Sequence, residues 1–574
     1  MSQNFLLEIG LEEMPAYLVT DSVEQLAKKA AAFLQEERLA FGSIETFSTP
    51  RRLAIRINNL AEQQTSVSEL VKGPAKKIAQ DEVGNWSKAA LGFMKSQGAV
   101  ESDLIFKELK GVEYLYVEKS DDGKGLREIL PKLANVVERL SFPVSMHWAN
   151  FDFSYIRPVH TVVALLGREV IPMTIFNIHS DNLSRGHRFL GHEARIQSAD
   201  SYLADLKQVF VYADVSERKA LIEQQISEIA AKEALKIDLD ADLLEEVNNL
   251  VEYPTAFLGH FDLKYLALPE EILVTSMRGH QRFFEVRTLD GKLAPHFVSV
   301  RNGNAEHLEN VISGNEKVLV ARLEDAVFFF NEDQKLLIAD LVERLKNVTF
   351  HEKIGSIYEH MQRVRQIGEI IGKALGLTAV QLADITRASE IYKFDLVTNM
   401  VGEFDELQGI MGEKYALLQG ENHTVATAIR EHYLPLGAGG ALPETVVGAV
   451  LAVSDKLDTL LSFFSADLIP SGSNDPYALR RGAAGVIRIF EAFDWQIKLA
   501  DLLDLLFEDS IFYRNQVEVL SFISARISRQ LEEDNYPKNL IQAVLHSERK
   551  SIRELKQVIK AISQATTAVD FKIY

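Results

Sequence analysis

Cysteine is absent from this 574-residue sequence, and its absence excludes several kinds of chemistry. Without cysteine the chain has no disulfide bond, no thiolate nucleophile and no cysteine-based zinc site. Any bound metal would therefore need histidine and carboxylate ligands.

Long apolar runs are also lacking. The longest candidate, 446–453, is closed by a serine, an aspartate and a lysine, and it falls short of the roughly eighteen residues that span a bilayer. The N-terminal stretch contains Glu8, Glu12 and Glu13 but no basic leader, which is not the pattern of a secretory signal. We therefore expect a cytoplasmic protein with no membrane partner.

Positive charge is in short supply, since the formal net charge is -20. Such a chain is poorly suited to coating DNA or any other nucleic acid non-specifically, because phosphate neutralisation needs a basic surface. Arginines nevertheless cluster beside aromatic, glycine or proline residues at Arg51-Arg52, Arg185 to Arg188, Arg278 to Arg282 and Arg480-Arg481. These clusters are either a localised anion-binding face or ordinary salt-bridging surface, and the sequence leaves both interpretations open.

The spacing of apolar residues predicts an α+β protein. A strand at 5–9, a helix at about 21–40 capped by Asp21 and Ser22, and a strand at 53–57 open the chain. Mixed short elements continue to about Val300, and from about Asn331 long helical patterns follow one another, such as 336–348, 361–375 and 443–464. The last helical segment, from about Leu502, carries the basic residues Arg549, Lys550, Arg553, Lys556 and Lys560, which favour RNA.

Familiar nucleotide-binding and hydrolase motifs are missing from the sequence. There is no GxxxxGK[ST] loop, and the glycine-rich segment 437–440 does not complete a GxGxxG pattern. Two His-Glu dipeptides lack the second histidine that a zinc protease needs, and no GxSxG elbow is present. The sequence therefore predicts no ATP site and no hydrolase site of these kinds.

The helical half offers one further arrangement, in which His351, Asp395 and Asp455 fill the places of the metal ligands in HD-type phosphohydrolases. The His-Asp dipeptide of those enzymes is missing, because Lys393 and Phe394 precede Asp395. A cation at Lys393 would also oppose metal binding. We expect a degenerate site without metal, in which both aspartates pair with neighbours such as Lys393.

A series of motifs in a fixed order resembles the β subunits of bacterial two-subunit glycyl-tRNA synthetases. The series runs from Leu7-Glu8-Ile9-Gly10-Leu11-Glu12-Glu13 through Thr49-Pro50-Arg51-Arg52-Leu53, Arg157-Pro158-Val159-His160, Arg185-Gly186-His187-Arg188-Phe189 and Gly279-His280-Gln281-Arg282-Phe283-Phe284. It continues with Ala321-Arg322-Leu323, Val401-Gly402-Glu403-Phe404, Asp455-Lys456-Leu457-Asp458 and Asp475-Pro476-Tyr477-Ala478-Leu479-Arg480-Arg481. The resemblance covers nearly the whole chain.

Two departures from the family pattern stand out. Val144 and His147 occupy positions where the family usually carries basic residues, which puts RNA contact there in doubt. The chain also ends at Tyr574, before the family's C-terminal anticodon-binding domain is complete, so a C-terminally truncated form is expected.

The resemblance implies a division of labour between two chains. In the family, an α subunit activates glycine with ATP and Mg, and the β subunit binds tRNA(Gly). This agrees with the absence of the HIGH and KMSKS motifs and of a class II ATP-binding arginine motif. For this chain the family implies an editing-domain-like α/β region over 1–330, a degenerate HD-like helical domain over 331–495 and the beginning of a helical anticodon-binding domain over 496–574.

The candidate contacts to tRNA or to the α subunit are the clustered arginines and their histidines. They are Arg51, Arg52, Arg185, His187, Arg188, Arg278, His280, Arg282, Arg480 and Arg481. The guanidinium fork binds two phosphate oxygens, and small neighbours let an RNA backbone approach. The alternative functions are a metal-dependent HD-type phosphohydrolase or editing hydrolase, and a scaffold whose arginines contact only the α subunit.

Overall fold

The computed structural model describes residues 3–81, 84–121, 123–472, 474–509, 513–545 and 551–567. The strands are β1 (Gln3–Leu11), β2 (Ser43–Thr49), β3 (Arg52–Leu60), β4 (Val67–Ala75), β5 (Leu104–Leu109), β6 (Val112–Asp121), β7 (Val159–Leu166), β8 (Glu169–Val170), β9 (Thr174–Ile175), β10 (Ile178–Asp181), β11 (Leu183–Arg185), β12 (Glu193–Arg195), β13 (Pro254–His260), β14 (Phe284–Arg287), β15 (Leu293–Asn302), β16 (Thr349–His351) and β17 (Gly355–Ser356).

The α-helices of the first half are α1 (Ala16–Glu36), α2 (Lys76–Ala79), α3 (Lys88–Gln97), α4 (Leu126–Ile129), α5 (Leu133–Glu138), α6 (Tyr202–Lys207), α7 (Val215–Glu233), α8 (Ala241–Asn248), α9 (Glu270–Thr275) and α10 (Leu308–Asp333). Those of the second half are α11 (Ile338–Arg344), α12 (Ile357–Ala374), α13 (Ala379–Ile391), α14 (Asn399–Glu403), α15 (Ile410–Leu418), α16 (His423–Glu431), α17 (Val446–Ser465), α18 (Leu479–Ala492), α19 (Leu499–Asp509), α20 (Gln516–Glu533), α21 (Lys538–Leu545) and α22 (Ile552–Thr567).

The chain divides into two compact units. Unit 1 comprises Met1–Phe261 and Gln281–Lys317, and unit 2 comprises Asp262–His280 and Val318–Tyr574. The mixed α and β character that the sequence predicts is confirmed. The three-domain division at 330 and 495 stays a prediction.

Unit 1 is built around a seven-stranded sheet whose order is β2-β3-β1-β7-β10-β9, with β8 paired to β7. The central strand β1 pairs antiparallel with β3 and β7, so that Glu8 lies opposite Ala54 on one side and Val163 on the other. Because successive side chains alternate between the faces of a sheet, Leu7 and Ile9 enter one apolar core and Leu6 the other. This places the carboxylate of Glu8 inside the protein.

Smaller sheets complete unit 1, with the orders β4-β6-β5, β11-β12 and β13-β15-β14. The hairpin of β11 and β12 carries Ser184 and Arg185, and Asn302 ends β15. Of these elements, β11 supplies Ser184, whose hydroxyl bonds Glu8.

The first helix differs from its predicted bounds. It begins at Ala16 rather than Asp21, because Pro15 ends the preceding segment and Leu18 and Val19 already belong to its buried face. Asp21 and Ser22 are therefore inside the helix and do not cap it. The helix ends at Glu36, before Arg38 adopts a left-handed backbone conformation with φ of 54°.

Unit 2 is mainly helical, apart from the short hairpin of β16 and β17. The nearly continuous burial of α17 identifies it as the central helix, against which α12, α16 and α18 pack. Buried polar residues interrupt this apolar helix only at Ser454, Asp458 and Ser462. Among the described residues, no helix is both long and apolar enough to cross a membrane.

The basic C-terminal segment predicted for RNA is partly occupied by ion pairs. Lys556 contacts Glu491 at 2.6 Å and Asp534 at 3.3 Å, and Arg553 pairs with Asp494. Lys560 is exposed. Arg549 and Lys550 lie outside the described residues.

Candidate functional site

Arg51 precedes β3 and Arg52 is its first residue. Both lie in the interior of unit 1, where one carboxylate meets both guanidinium groups. Glu252 accepts hydrogen bonds from Arg51 Nε at 3.1 Å and from Arg52 Nη2 at 3.0 Å. The two arginine side chains are only 4% and 2% exposed. Further bonds run from Arg51 to the carbonyl oxygen of Gly186 and from Arg52 to that of Arg185, each at 2.7 Å.

Glu8 is the second carboxylate of this network. It accepts hydrogen bonds from Ser184 Oγ at 2.5 Å and from the hydroxyl of Tyr202 at 2.6 Å, and it lies 3.6 Å from Arg52 Nη1. Burial opposes the charged form of Arg52, but Glu252 and Glu8 outweigh this effect and raise its pKa. Burial likewise acts to raise the pKa of Glu252, whereas Arg52 and Arg51 lower it overall.

This burial argues against direct contact of Arg51 and Arg52 with RNA. A phosphate cannot reach guanidinium groups that are enclosed and already paired with Glu252. These two arginines form salt bridges within the chain, as the second interpretation of the clusters predicts. They join the start of β3 to the segments around Glu252 and Arg185. We call the four residues Arg51, Arg52, Glu8 and Glu252 the buried arginine network.

Arg185 and Arg188 lie nearer the surface of unit 1. Arg188 Nη2 donates to Glu12 at 2.7 Å, and Glu12 also lies 3.0 Å from His160 Nε2 and 3.9 Å from Arg185 Nη1. Burial acts to raise the pKa of Glu12, but Arg188 and His160 lower it overall. Phe189 beside them is 84% exposed, so this patch combines cations with a solvent-facing aromatic ring.

His187, by contrast, is a structural residue. Its Nδ1 accepts hydrogen bonds from the amides of Phe189 and Leu190 at 3.3 and 3.2 Å, so its Nε2–H donates to Asn302 Oδ1 at 3.0 Å. The ring is 1% exposed. It therefore shapes the loop that presents Arg188 and Phe189, and direct contact with RNA is not compatible with its burial.

The candidates Arg278, His280 and Arg282 do not all belong to one unit. Arg282 is in unit 1 and donates to Glu246 at 2.8 Å. Arg278 and His280 end a π-helical turn of unit 2, where His280 packs on Phe404 and contacts Arg322 at 3.1 Å. Contact of these residues with RNA or a partner chain stays a prediction.

Arg480 and Arg481 open α18 and line a cavity of about 640 Å³ in unit 2. Arg488, Arg526 and Arg529 line the same cavity, which we call the arginine cavity after these five residues. Sequence inspection missed the last three, because they are spread over two helices and form no cluster in the chain.

A second buried set of charges lies in the middle of unit 2. His360 Nε2 contacts Asp455 at 2.9 Å, and its Nδ1 contacts Asp458 at 2.5 Å. Burial acts to lower the pKa of His360, but the two aspartates raise it overall. Arg363 and the hydroxyl of Tyr513 also donate to Asp458, at 2.7 and 2.5 Å. We call His360, Asp455 and Asp458 the histidine–aspartate centre.

The histidine of this centre is not the predicted one. His351 lies on β16, where its Nε2 contacts the hydroxyl of Tyr477 at 3.3 Å and its Nδ1 accepts from the amide of Lys353. His360 takes the place beside Asp455 because it lies on the buried face of α12. That face, with Met361 and Val364, is the sequence signal that could have identified it.

The two predicted aspartates have different partners. Lys393 Nζ lies 3.9 Å from Asp455, as expected, and also 4.1 Å from the ring centre of Tyr433. Asp395 instead accepts hydrogen bonds from the amides of Gly409 at 2.6 Å and Gly412 at 3.1 Å. Its burial raises its pKa to about 6, although these amides and Lys393 act against the rise.

The side chains around Asp455 can be compared with what a metal site would need. Among the residues that the structure describes, no group of three or more histidine, aspartate or glutamate side chains could hold a metal ion. The carboxylate of Asp455 already contacts the imidazole of His360 and the hydroxyl of Tyr392, each at 2.9 Å, and the ammonium of Lys393 lies 3.9 Å away. The histidine–aspartate centre is therefore a buried group of carboxylates whose charges are balanced by neighbouring cationic side chains.

A family model described as "Glycyl-tRNA synthetase beta subunit" matches residues 5–546 of the chain. Curated relatives are similar along the whole chain. The "Glycine--tRNA ligase beta subunit" of Streptococcus thermophilus is 57% identical over 575 residues, which cover 100% of this chain and 84% of the relative. The proteins of the same description from Streptococcus gordonii and Streptococcus pneumoniae are 57% and 56% identical over the same shares.

Proposed function

The chain belongs to the glycyl-tRNA synthetase beta subunit family, and we propose that it is the β subunit of a glycine–tRNA ligase. Its partners are a catalytic α subunit and tRNA(Gly), in a heterotetramer of the cytoplasm. The α subunit activates glycine with ATP and Mg, and this chain binds the tRNA that receives the glycine. The observation that carries the proposal is the 57% identity over the entire chain.

Two features of the sheets and helices support a finer domain assignment. The mixed sheets of unit 1 suit an editing-domain-like region, and the histidine–aspartate centre of unit 2 suits a degenerate HD-like domain. The helices α19 to α22 would then begin the anticodon-binding domain. The ammonium of Lys393 beside Asp455 supports the degenerate form of the HD-like site, because a positive charge there opposes a metal cation.

The surface residues that suit RNA are those whose guanidinium groups reach solvent. Arg188 beside the exposed ring of Phe189 offers a phosphate contact together with a stacking surface for a base. Arg480 and Arg481 offer a second place, in the arginine cavity. The buried arginine network contributes stability and no RNA contact.

An exchange assay tests the division of labour. The purified chain alone should give no glycine-dependent exchange of pyrophosphate into ATP, whereas the α subunit should give it. A β chain of the full family length together with the α subunit should transfer glycine to tRNA(Gly). Exchange by this chain alone would refute the assignment of catalysis to α.

A second assay separates tRNA binding from a purely scaffolding role. Gel shifts with tRNA(Gly) across a range of salt should show affinity that falls steeply as salt rises, because phosphate contacts release counterions. The variant Arg188→Gln should bind more weakly, while Arg127→Gln, which alters an exposed pair with Glu169 on the same unit, should bind normally. Identical affinities for both variants would favour the scaffold.

The alternative of a metal-dependent HD-type phosphohydrolase makes a different prediction. Such an enzyme would contain stoichiometric metal that is lost when Asp455 is replaced. Metal analysis of the wild-type chain and of Asp455→Asn decides between the two functions. Because Lys393 and His360 already neutralise Asp455, we expect no difference in metal content.

A further inference from the structure

The arginine cavity of unit 2 lies between two helix faces. Arg481 and Arg488 lie two turns apart on α18, and Arg526 and Arg529 lie about one turn apart on α20. Since residues three, four or seven apart share one face of a helix, each helix presents a row of guanidinium groups to the same space. The volume of about 640 Å³ is within the range of small-ligand sites.

The charges that line this cavity are not balanced. Its lining contains five arginines but only two carboxylates, those of Glu491 and Glu533. Both carboxylates already have cationic partners, since Lys556 lies 2.6 Å from Glu491 and Arg529 lies 3.1 Å from Glu533. The exposed Arg481 therefore adds positive charge where the local carboxylates are in use.

The position of Arg480 and Arg481 adds to the imbalance. Both lie in the first turn of α18, where the helix dipole is positive and disfavours cations. The carboxylate of Asp475 is directed to the start of this helix, where it accepts hydrogen bonds from the backbone amides of Leu479 at 2.9 Å and Arg480 at 3.0 Å. An anion in the cavity would relieve this clustering of like charge.

Arg526 gives the most direct sign of a missing acceptor. Its Nε is buried and has no hydrogen-bond partner among the described residues. Burial and the neighbouring guanidinium groups of Arg480 and Arg529 lower its pKa, against the opposing effect of Asp475. A buried donor without an acceptor is destabilising, and in native proteins such a donor calls for a partner such as a water, an ion or a ligand.

We infer that the arginine cavity binds a ligand that presents two adjacent phosphate groups to Arg480, Arg481 and Arg526. Guanidinium groups suit this ligand because each fork can bond two phosphate oxygens, and Arg526 Nε gains its acceptor. Two sources offer such groups: consecutive phosphates of an RNA strand and the diphosphate of a nucleotide. The RNA source rests on the function proposed above, whereas the nucleotide source does not.

Calorimetric titration with inorganic pyrophosphate tests the cavity without any RNA. The full chain should bind pyrophosphate, and Arg526→Gln and Arg481→Gln should each weaken this binding at least tenfold. Two variants are used because Arg481 is exposed and its replacement does not threaten folding. The control is Arg387→Gln, an arginine of unit 2 that lies outside the cavity and pairs with Glu421.

Gel shifts with tRNA(Gly) on the same four proteins identify the source. If RNA supplies the phosphates, both cavity variants bind tRNA several-fold more weakly, and the slope of log affinity against log salt becomes shallower by about one. If a nucleotide supplies them, pyrophosphate binding is lost while tRNA binding is unchanged. Either result supports the cavity as a phosphate site.

The inference is overturned if the cavity variants match Arg387→Gln in both measurements, or if the wild-type chain binds neither pyrophosphate nor tRNA. Failure of the proposed function is a separate result. A chain that binds no tRNA but loses pyrophosphate binding in Arg526→Gln would contradict the RNA role and leave the phosphate site in place.

Discussion

Two Arg-Arg pairs with similar neighbours in sequence have opposite surroundings in the structure. Arg51-Arg52 follows a proline and lies in the interior of unit 1, where Glu252 bonds both guanidinium groups. Arg480-Arg481 precedes a glycine and lines an open cavity of unit 2 together with three more arginines. The same dipeptide is structural in one unit and available to a ligand in the other.

The difference comes from where the nearest carboxylates direct their oxygens. Glu252 and Glu8 are buried side chains whose oxygens face the guanidinium groups. Asp475 lies only five residues before Arg480, but its oxygens cap the amides at the start of α18. An arginine cluster therefore indicates an anion site only where the surrounding carboxylates are bonded elsewhere.

The largest effect is expected from Glu252→Gln. This change leaves Arg51 and Arg52 buried with a neutral acceptor, and breaking a buried ion pair in this way costs about 3–5 kcal/mol of unfolding free energy. Urea unfolding followed by Trp86 and Trp148, with Trp495 replaced by Phe, reports on unit 1. The control is Glu45→Gln. The carboxylate of Glu45 pairs with Arg56 but is 43% exposed, so this variant should lose less than about 1 kcal/mol of unfolding free energy. Equal losses of unfolding free energy in the two variants would show that burial does not make the Glu252 ion pairs stronger than the Glu45–Arg56 pair.

Asp395 provides the reverse case in unit 2, a buried carboxylate without a bonded cation. Its pKa rises from 3.8 to about 6 on folding, so its favourable contribution is complete below pH 3.8 and is lost as the pH rises through 6. A shift of this size corresponds to about 3 kcal/mol. Relative to wild type, Asp395→Asn should therefore become more stable between pH 4 and pH 7, by up to about 3 kcal/mol. Urea unfolding followed by Trp495 measures this difference at each pH, and a constant difference would contradict the assigned titration.

The sequence predicted the helices with strong apolar periodicity better than the pairing of charges. The patterns at 361–375 and 443–464 correspond to α12 and α17, because a buried stripe recurs along one helix and needs no distant partner. The strand β2 was not predicted, since only its last three residues are buried and its pairing with β3 defines it. The local sequence pattern therefore predicts an element where one of its faces is apolar and buried along its whole length.

The site residues depend on partners that are remote in the chain. Glu252 lies 201 residues after Arg51, and Asp458 lies 98 residues after His360. A motif search therefore found Arg51 and Asp455 but missed the groups that decide their roles. The identity of the family, by contrast, could be predicted from the ordered motifs alone, and the match over residues 5–546 confirms it.

The smallest effect is expected from Arg481→Gln, and it tests the comparison from the other side. Because Arg481 is exposed among like charges, its replacement should change the unfolding free energy of unit 2 by no more than about 0.5 kcal/mol. The matched change Arg51→Gln should lower the unfolding free energy of unit 1 several-fold more, since it leaves Glu252 with one guanidinium partner. Trp495 reports on the first variant and Trp86 with Trp148 on the second. A large loss of unfolding free energy for Arg481→Gln would mean that this guanidinium supports the fold, and it would contradict the assignment of Arg481 to an anion site.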